Sequence, residues 1–155
     1  MSKSLKRVRA ALEAAGMDAK IEETPLARTA ADAAAAIGCE IDQIAKSIIF
    51  RGDTSGAAIL FITAGGNTVD AAKAAQIAGE PLGKADASLI RAQTGFAIGG
   101  VSPVGHINPV TAFFDPALLN FDRIWAAAGT PHHVFGAKPQ DIFRISNAEA
   151  ADFTS

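Results

Sequence analysis

Hydrophobic positions recur along the chain with a helical spacing in several segments. Near the N-terminus Leu5, Val8 and Leu12 repeat at intervals of three or four residues, which is typical of the apolar face of an α-helix. Ser4 is suited to begin this helix and Gly16 to end it. The same reasoning predicts helices over 4–15, 29–37, 69–78 and 86–93, a brief helix at 41–45, and helical turns after Asp115-Pro116 and at 139–143.

Short runs of β-branched and aromatic residues between turn residues predict strands. The segments 46–50 and 57–63 flank the turn 51–56 and predict an antiparallel hairpin, whose second strand is apolar throughout and therefore buried. Further strands are predicted at 19–23, 94–98, 111–114, 124–127, 132–135 and 143–145. This alternation favours one compact α/β (α+β) domain over residues 1–155, with a mixed or mostly antiparallel sheet.

Composition and charge narrow the class of protein. The chain has 155 residues, of which 49% are hydrophobic and 19% charged, and 34 are alanine. Such a composition excludes a disordered chain and supplies a real core. A formal net charge of −2 excludes a protein that coats nucleic acid through bulk positive charge. Four cations near the N-terminus could still make a local phosphate contact, or form a solvated helix face; they are Lys3, Lys6, Arg7 and Arg9.

Neither a metal site nor a cofactor site is expected. Cys39 is the sole cysteine, so no internal disulfide can form, and the sequence contains no CxxC or HExxH spacing. No phosphate-binding loop, dinucleotide fingerprint or GxSxG elbow is present either. The apolar stretches are too short for a membrane span and no signal peptide is visible, which predicts a cytoplasmic protein without membrane contact.

Lys46 is unusual because it stands at the start of an apolar strand. A lysine at a strand edge is commonly solvated. If its side chain points inward instead, the ammonium is a partly desolvated cation that can hold a phosphate or carboxyl oxygen.

The segment from Gly99 to His106 is the second unusual feature. It contains Gly99, Gly100 and Gly105 together with a serine and a proline, directly after a predicted strand. Glycines let backbone N–H groups approach a ligand without obstruction by a Cβ atom, as in an oxyanion or phosphate site. A tight turn between two strands is the alternative interpretation.

These residues resemble the YbaK/prolyl-tRNA-synthetase-associated editing-domain family. The resemblance rests on Ala45-Lys46-Ser47, on the loop from Ile98 to Gly105, and on Ala128-Gly129-Thr130 with the segment 138–142, and it extends over about 1–147. It implies a curved mixed sheet, and hydrolysis in trans of the ester between a wrong amino acid and the 3′ end of a tRNA. It implies no cofactor and no metal. Mischarged tRNA is the implied partner, most simply tRNA(Pro), together with prolyl-tRNA synthetase.

The resemblance also implies a role for individual residues. Lys46 would contact the terminal ribose-phosphate, while backbone groups near Gly100 and Ser102 would hold the ester carbonyl or the attacking water. Because an aminoacyl ester is already activated, placing a water and stabilising the oxyanion can suffice without a protein nucleophile. The remaining substrate-binding residues are expected to be Ser47, Gly99, Val101, Pro103, Gly105, His106, Gly129 and Thr130.

Two departures from the family pattern leave the substrate open. Ser47 stands where some alanine-specific members have asparagine, and Thr130-Pro131-His132-His133 replaces a histidine-plus-asparagine pattern. The edited amino acid therefore stays open among alanine, serine, threonine and cysteine. The histidines have no assigned family role. A non-catalytic module that binds tRNA or a synthetase, and an unrelated hydrolase of a small ester or thioester, are the alternative functions.

Overall fold

The computed structural model describes residues 2–155, which form five α-helices and a mixed sheet of eight strands. The helices are α1 (Lys3–Ala14), α2 (Ala30–Ile37), α3 (Ala71–Ala78), α4 (Ala87–Thr94) and α5 (Pro139–Ile145), with 3-10 helices at Ile41–Gln43 and Pro116–Asn120. The strands are β1 (Ile21–Glu23), β2 (Ile44–Gly52), β3 (Ala58–Ala64), β4 (Leu82–Lys84), β5 (Thr111–Phe114), β6 (Ile124–Ala127), β7 (His133–Ala137) and β8 (Glu149–Ala150). The predicted α+β class with a mixed sheet is confirmed.

The strand order is β1-β7-β6-β2-β3-β5-β8, and β4 pairs with the far end of β2. The predicted hairpin is confirmed, since β2 and β3 pair antiparallel from Ala45↔Ala64 to Arg51↔Ala58. The neighbours β6 and β5 join this hairpin in parallel. The two strands β4 and β8 escaped prediction because runs of three and two residues carry too little pattern.

Both faces of the central hairpin are covered, which explains why β3 is apolar along its whole length. Alternate residues of a strand point to opposite faces. Leu60 and Ile62 therefore join the larger hydrophobic cluster with α1, whereas Phe61 packs in a smaller cluster against Phe113 and Phe153.

Two predicted strands are wrong. The segment 94–98 begins with the last residue of α4, where the Thr94 hydroxyl donates to the carbonyl of Ile90 at 2.6 Å and Gly95 ends the helix at a φ of 84°. The segment 143–145 is the last turn of α5, and the side chain of Phe143 packs on Phe114. Residues 95–98 have no regular structure, whereas the short apolar run 143–145 fits a strand or one buried helix face equally well.

Two helices begin at residues other than those predicted. The hydroxyl of Ser2, not Ser4, accepts the backbone N–H three residues on at 3.1 Å. Asp70, which lies inside the predicted helix 69–78, begins α3 instead: its side chain accepts the N–H groups of Ala72 and Lys73. Sequence alone offered several adjacent capping residues, and only the local backbone conformation selects among them.

Candidate functional site

A cavity of about 520 Å³ lies beside the start of α2 and the strands β2, β6 and β7. It is called the Lys46 cavity below. Its lining contains no aspartate or glutamate, and it has two cations, Lys46 and Arg28. The lining comes from parts of the segments 24–33, 41–48, 125–127 and 130–134, together with Gly65, Gly99 and Val101.

Lys46 is the half-buried cation of this cavity. Its Nζ donates to the backbone carbonyl of Gly65 at 3.2 Å. Among residues 2–155 no carboxylate lies within ion-pair distance of Lys46, since the ion pairs present join Arg51 to Asp53, Lys73 to Asp152 and Arg144 to Asp141. The ammonium thus keeps an uncompensated charge, which favours an anionic ligand.

The carbonyl acceptor of Lys46 belongs to a loop that Asp115 holds in place. Asp115 is 3% exposed, and its Oδ2 accepts the Ala64 N–H at 3.1 Å and the Asn67 Nδ2 at 2.9 Å. Both donors flank Gly65. The sequence suggested only that Asp115 begins a helical turn, and no local pattern links it to a loop about fifty residues earlier.

A second set of contacts fixes the same loop. Asp42 accepts the Gly66 N–H at 2.8 Å. A Cβ atom at Gly65 would collide with the backbone carbonyl of Ile41, so only glycine fits there. The orientation of the Lys46 ammonium therefore depends on close packing between this loop and the 3-10 helix at Ile41–Gln43.

The predicted glycine-rich loop contributes two of its residues to the cavity, Gly99 and Val101. Gly100 is buried and does not line it: its N–H donates to the Ala97 carbonyl at 3.0 Å, and an added Cβ would lie 2.8 Å from the Cα of Thr130. The N–H of Val101 has no acceptor among the described residues. The N–H of Gly99, which also lines the cavity, likewise has no acceptor among the described residues, so both amides are available to a ligand.

The rest of the loop faces away from the Lys46 cavity. Ser102, Pro103, Gly105 and His106 are outside its lining. Ser102 is fully buried; its hydroxyl accepts the N–H of Val104 at 3.3 Å.

His106 is bound to the same serine. The Ser102 carbonyl can only accept, so the His106 Nε2 at 2.7 Å carries a proton. Burial lowers the pKa of His106, and the nearby Arg7 cation acts in the same direction, against the hydrogen bond to Ser102. The ring also packs edge-on against Phe96. These contacts give His106 a role in packing, outside the lining of the Lys46 cavity.

The turn before β7 adds a polar wall. Thr130, Pro131 and His133 line the cavity, whereas Gly129 does not: it has a φ of 97° and packs on the Ser4 carbonyl. The Thr130 Oγ1 lies 2.7 Å from the His133 Nδ1. It also accepts the N–H of the exposed neighbouring histidine at 3.1 Å. One of the two unassigned C-terminal histidines therefore reaches the cavity.

Two further lining residues have unusual surroundings. The hydroxyl oxygen of Ser47 is buried and has no hydrogen-bond partner among the described residues. Trp125, the sole tryptophan of the chain, also lines the cavity, although it is not among the predicted site residues. The sequence feature that could have pointed to Trp125 is its position in a strand otherwise made of small and aliphatic residues.

Of the N-terminal cations, Arg7 has a structural role. Its Nη2 donates to the Gly95 carbonyl at 2.6 Å, its Nε donates to the Gly105 carbonyl at 3.3 Å, and its guanidinium lies 5.1 Å from the Phe96 ring centroid. It thereby joins α1 to the end of α4 and to the glycine-rich loop. The exposed members of this group, which do not line the cavity, are Lys3, Lys6 and Arg9.

Residues 2–155 contain no group of three or more histidine, cysteine, aspartate or glutamate side chains placed to hold a metal ion. None of the helices described has the length and apolarity needed to cross a membrane.

Comparison with known proteins identifies the family. Residues 24–145 match the model of the aminoacyl-tRNA editing domain. The uncharacterised protein YwhH of Bacillus subtilis (strain 168) is 30% identical over 118 residues, which cover 76% of this chain and 74% of that protein. The chain therefore belongs to the aminoacyl-tRNA editing-domain family, and the resemblance seen in the sequence is confirmed.

Two solved structures have the same fold as this chain. One is the crystal structure of a protein described as a candidate trans-editing enzyme for prolyl tRNA synthetase. That protein is 43% identical in sequence to this chain, and the two structures align with a TM-score of 0.92 over 100% of this chain and 99% of that one. The hypothetical protein APE2540 has the same fold, with a TM-score of 0.87 at 23% identity over 96% of this chain and 99% of that one.

Proposed function

We propose that the protein is a free-standing aminoacyl-tRNA deacylase that acts in trans. Its substrate is a tRNA mischarged with alanine, serine, threonine or cysteine, and tRNA(Pro) is the expected tRNA. The observation that carries the proposal is the Lys46 ammonium, held by a neutral carbonyl in a cavity without carboxylates. Membership of the editing-domain family, and similarity to a protein described as a candidate trans-editing enzyme for prolyl tRNA synthetase, support it.

The tRNA end enters a locally positive site on an acidic chain. Lys46 binds a phosphate or ribose oxygen of the terminal nucleotide, and the exposed Arg28 adds a second positive charge to the same lining. Because the site receives only a single-stranded end, a few placed cations suffice and the formal net charge of −2 is no obstacle.

The reaction is ester hydrolysis. A water oxygen attacks the ester carbonyl carbon, the bond from that carbon to the ribose oxygen breaks, the ribose oxygen takes up a proton, and the amino acid leaves as its carboxylic acid. We assign to the Val101 N–H, which has no acceptor among the described residues, the stabilisation of the developing oxyanion. Val101 lies between Gly100 and Ser102, so this assignment is one specific form of the role predicted for the backbone groups near those two residues.

The size of the cavity suits a small aminoacyl group attached to a nucleotide. Its volume of about 520 Å³ is within the range of small-molecule sites, and small residues such as Ala30 and Ala127 line it. One methylene changes binding by only about 1–3 kcal/mol in an apolar pocket, so a few wall residues decide which of the four amino acids is accepted.

Deacylation of a panel of mischarged tRNAs tests this proposal. The panel contains alanyl-, seryl-, threonyl- and cysteinyl-tRNA(Pro) with the correctly charged tRNAs as controls. Lys46→Met keeps most of the side-chain volume without the charge, and we expect it to lower kcat/KM at least about 100-fold. Lys84→Met, at an exposed lysine of β4, is the matched control and should leave the rate unchanged.

Each other outcome has a defined meaning. Full activity of a folded Lys46→Met protein refutes the role of the lysine. Binding of all panel members without hydrolysis favours a non-catalytic module that holds tRNA or a synthetase, while a preference for simple esters or thioesters favours an unrelated hydrolase. Prolyl-tRNA synthetase as a partner and a cytoplasmic location stay predictions; co-migration of protein, synthetase and tRNA(Pro) in size-exclusion chromatography tests the first.

A further inference from the structure

Trp125 lies at the wall of the Lys46 cavity instead of in the core. It belongs to neither of the two hydrophobic clusters, although it is the largest apolar side chain of the molecule. It is half-buried, so part of the indole remains accessible. Large aromatic side chains are normally major components of a core, and one left beside a cavity is a candidate for ligand contact.

The indole is held in a defined orientation. Trp125 pairs with Gly136 in the register of β6 and β7, and a Cβ atom at Gly136 would lie 2.6 Å from the indole Nε1. The ring therefore lies across the glycine. The Arg123 guanidinium lies 5.3 Å from the ring centroid, an arrangement that braces the indole through a cation–π contact. A flat surface is thus pre-organised beside the cavity.

The indole and the Lys46 ammonium share one face of the sheet. Ile44 pairs with Trp125 in the parallel register of β2 and β6, and Lys46 stands two residues further along β2, on the same side as Ile44. Strand geometry places the Cα atoms of Lys46 and Trp125 about 8 Å apart. A cation and an aromatic ring at this separation are complementary to a nucleotide, which has an anionic phosphate and a flat base.

From these relationships we infer that Trp125 is a stacking platform for a base of the single-stranded 3′ end of the tRNA. Stacking on the indole positions the terminal nucleotide so that its phosphate or ribose meets Lys46 and its ester reaches the backbone at Val101. The inference rests on the proposed function for the identity of the ligand. It assigns to Trp125 a positioning role and no proton transfer.

The chain provides a direct readout. It has one tryptophan and no tyrosine, so its intrinsic tryptophan emission comes from the cavity wall. We expect the trinucleotide CCA to quench this emission saturably in the wild-type protein. L-alaninamide, which mimics only the aminoacyl part, should leave it unchanged. Quenching by L-alaninamide but not by CCA, or by neither, overturns the inference.

Two variants separate stacking from simple packing. Trp125→Phe keeps an aromatic face, whereas Trp125→Leu keeps apolar bulk without one. For the mischarged tRNA that is hydrolysed, we expect KM to rise about 10-fold or more in Trp125→Leu with a smaller change in kcat, and Trp125→Phe to retain most of the affinity. An unchanged KM in a folded Trp125→Leu protein contradicts the platform.

Failure of the inference and failure of the proposed function give different results. Normal deacylation with no effect of Trp125→Leu contradicts the stacking role of Trp125 and is consistent with the proposed function. Quenching by CCA without hydrolysis of any panel member contradicts the proposed deacylase function and supports the stacking role of Trp125. If Trp125→Leu does not fold, as judged by its thermal transition, the wild-type quenching titration and the Trp125→Phe kinetics decide the question.

Discussion

The Nζ of Lys46 and the backbone carbonyl of Gly65 are 3.2 Å apart, and this hydrogen bond joins the candidate catalytic cation to the loop that follows β3, at the open end of the hairpin. The acceptor is a neutral carbonyl, so it orients the ammonium without cancelling its charge. A carboxylate in the same place would compete with any phosphate. The position of the loop around Gly65 therefore controls both the direction and the availability of the charge.

Gly65→Ala is expected to lower deacylation about 10-fold or more, because its Cβ would collide with the Ile41 backbone carbonyl and displace the loop. The measurement is kcat/KM together with the thermal midpoint. The control is Gly83→Ala on β4, where an added Cβ meets only the ends of the Asp53 and Arg51 side chains, which can move. Equal activity of the two variants would show that Gly65 does not position Lys46.

Asp115→Ala is expected to reduce the free energy of unfolding by about 3 kcal/mol. It removes the acceptor of the Ala64, Asn67 and Ala117 donors, of which the Ala64 N–H is buried. Urea denaturation gives the change. Asp53→Asn, at an exposed ion pair, should change stability by less than about 1 kcal/mol. A wild-type midpoint for Asp115→Ala contradicts the assignment.

Arg7→Ala is expected to destabilise the protein by about 1–3 kcal/mol, because two backbone carbonyls lose their charged donor and Phe96 loses a cation–π partner. Arg9→Ala removes the same charge from an exposed position and should leave stability within about 0.5 kcal/mol. Chemical denaturation compares the two variants. The same variant tests a phosphate contact: if the N-terminal cations bind phosphate, Arg9→Ala will reduce the salt dependence of tRNA binding.

Stability is expected to fall as the pH drops below about 6.5. Burial lowers the pKa of His106, so the unfolded chain binds this proton more readily than the folded protein. The contribution of His106 is therefore complete above its unfolded pKa and is lost as the pH falls toward its lower folded pKa. Denaturation between pH 5 and 8 measures the slope on either side.

His106→Gln should flatten that dependence, since its amide can still donate to the Ser102 carbonyl but does not titrate. His132→Gln, at an exposed histidine, is the matched control for the substitution itself. A wild-type slope in His106→Gln would mean that another group titrates.

The elements with a clear period were predictable. The apolar stripe of α1 and the hairpin of β2 and β3 were found close to their observed bounds. The β-branched and aromatic residues of 94–98 and 143–145 favour strands intrinsically. Gly95 instead ends α4 and leaves 95–98 without regular structure, and 143–145 is the last turn of α5. Lys46 was recognisable because a charged residue stands out in an apolar run.

Other parts of the site were not predictable from local pattern. The loop from Gly99 to His106 was identified as a unit, but only the fold shows that Gly99 and Val101 face the cavity while Ser102 and His106 pack away from it. The same applies to Trp125, which has no motif of its own and acquires its position from the pairing of β6 with β2 and β7.

By itself the sequence determined the α+β class, the family and the lysine, since these depend on local periodicity and on short motifs whose residues are adjacent in the chain. The tertiary structure decided how the Lys46 cavity is built. Gly65, Asp115 and Trp125 reach it from separate elements through sheet register and loop packing. Contacts between residues far apart in the chain leave no spacing in the sequence, because it is the folded backbone that brings them together.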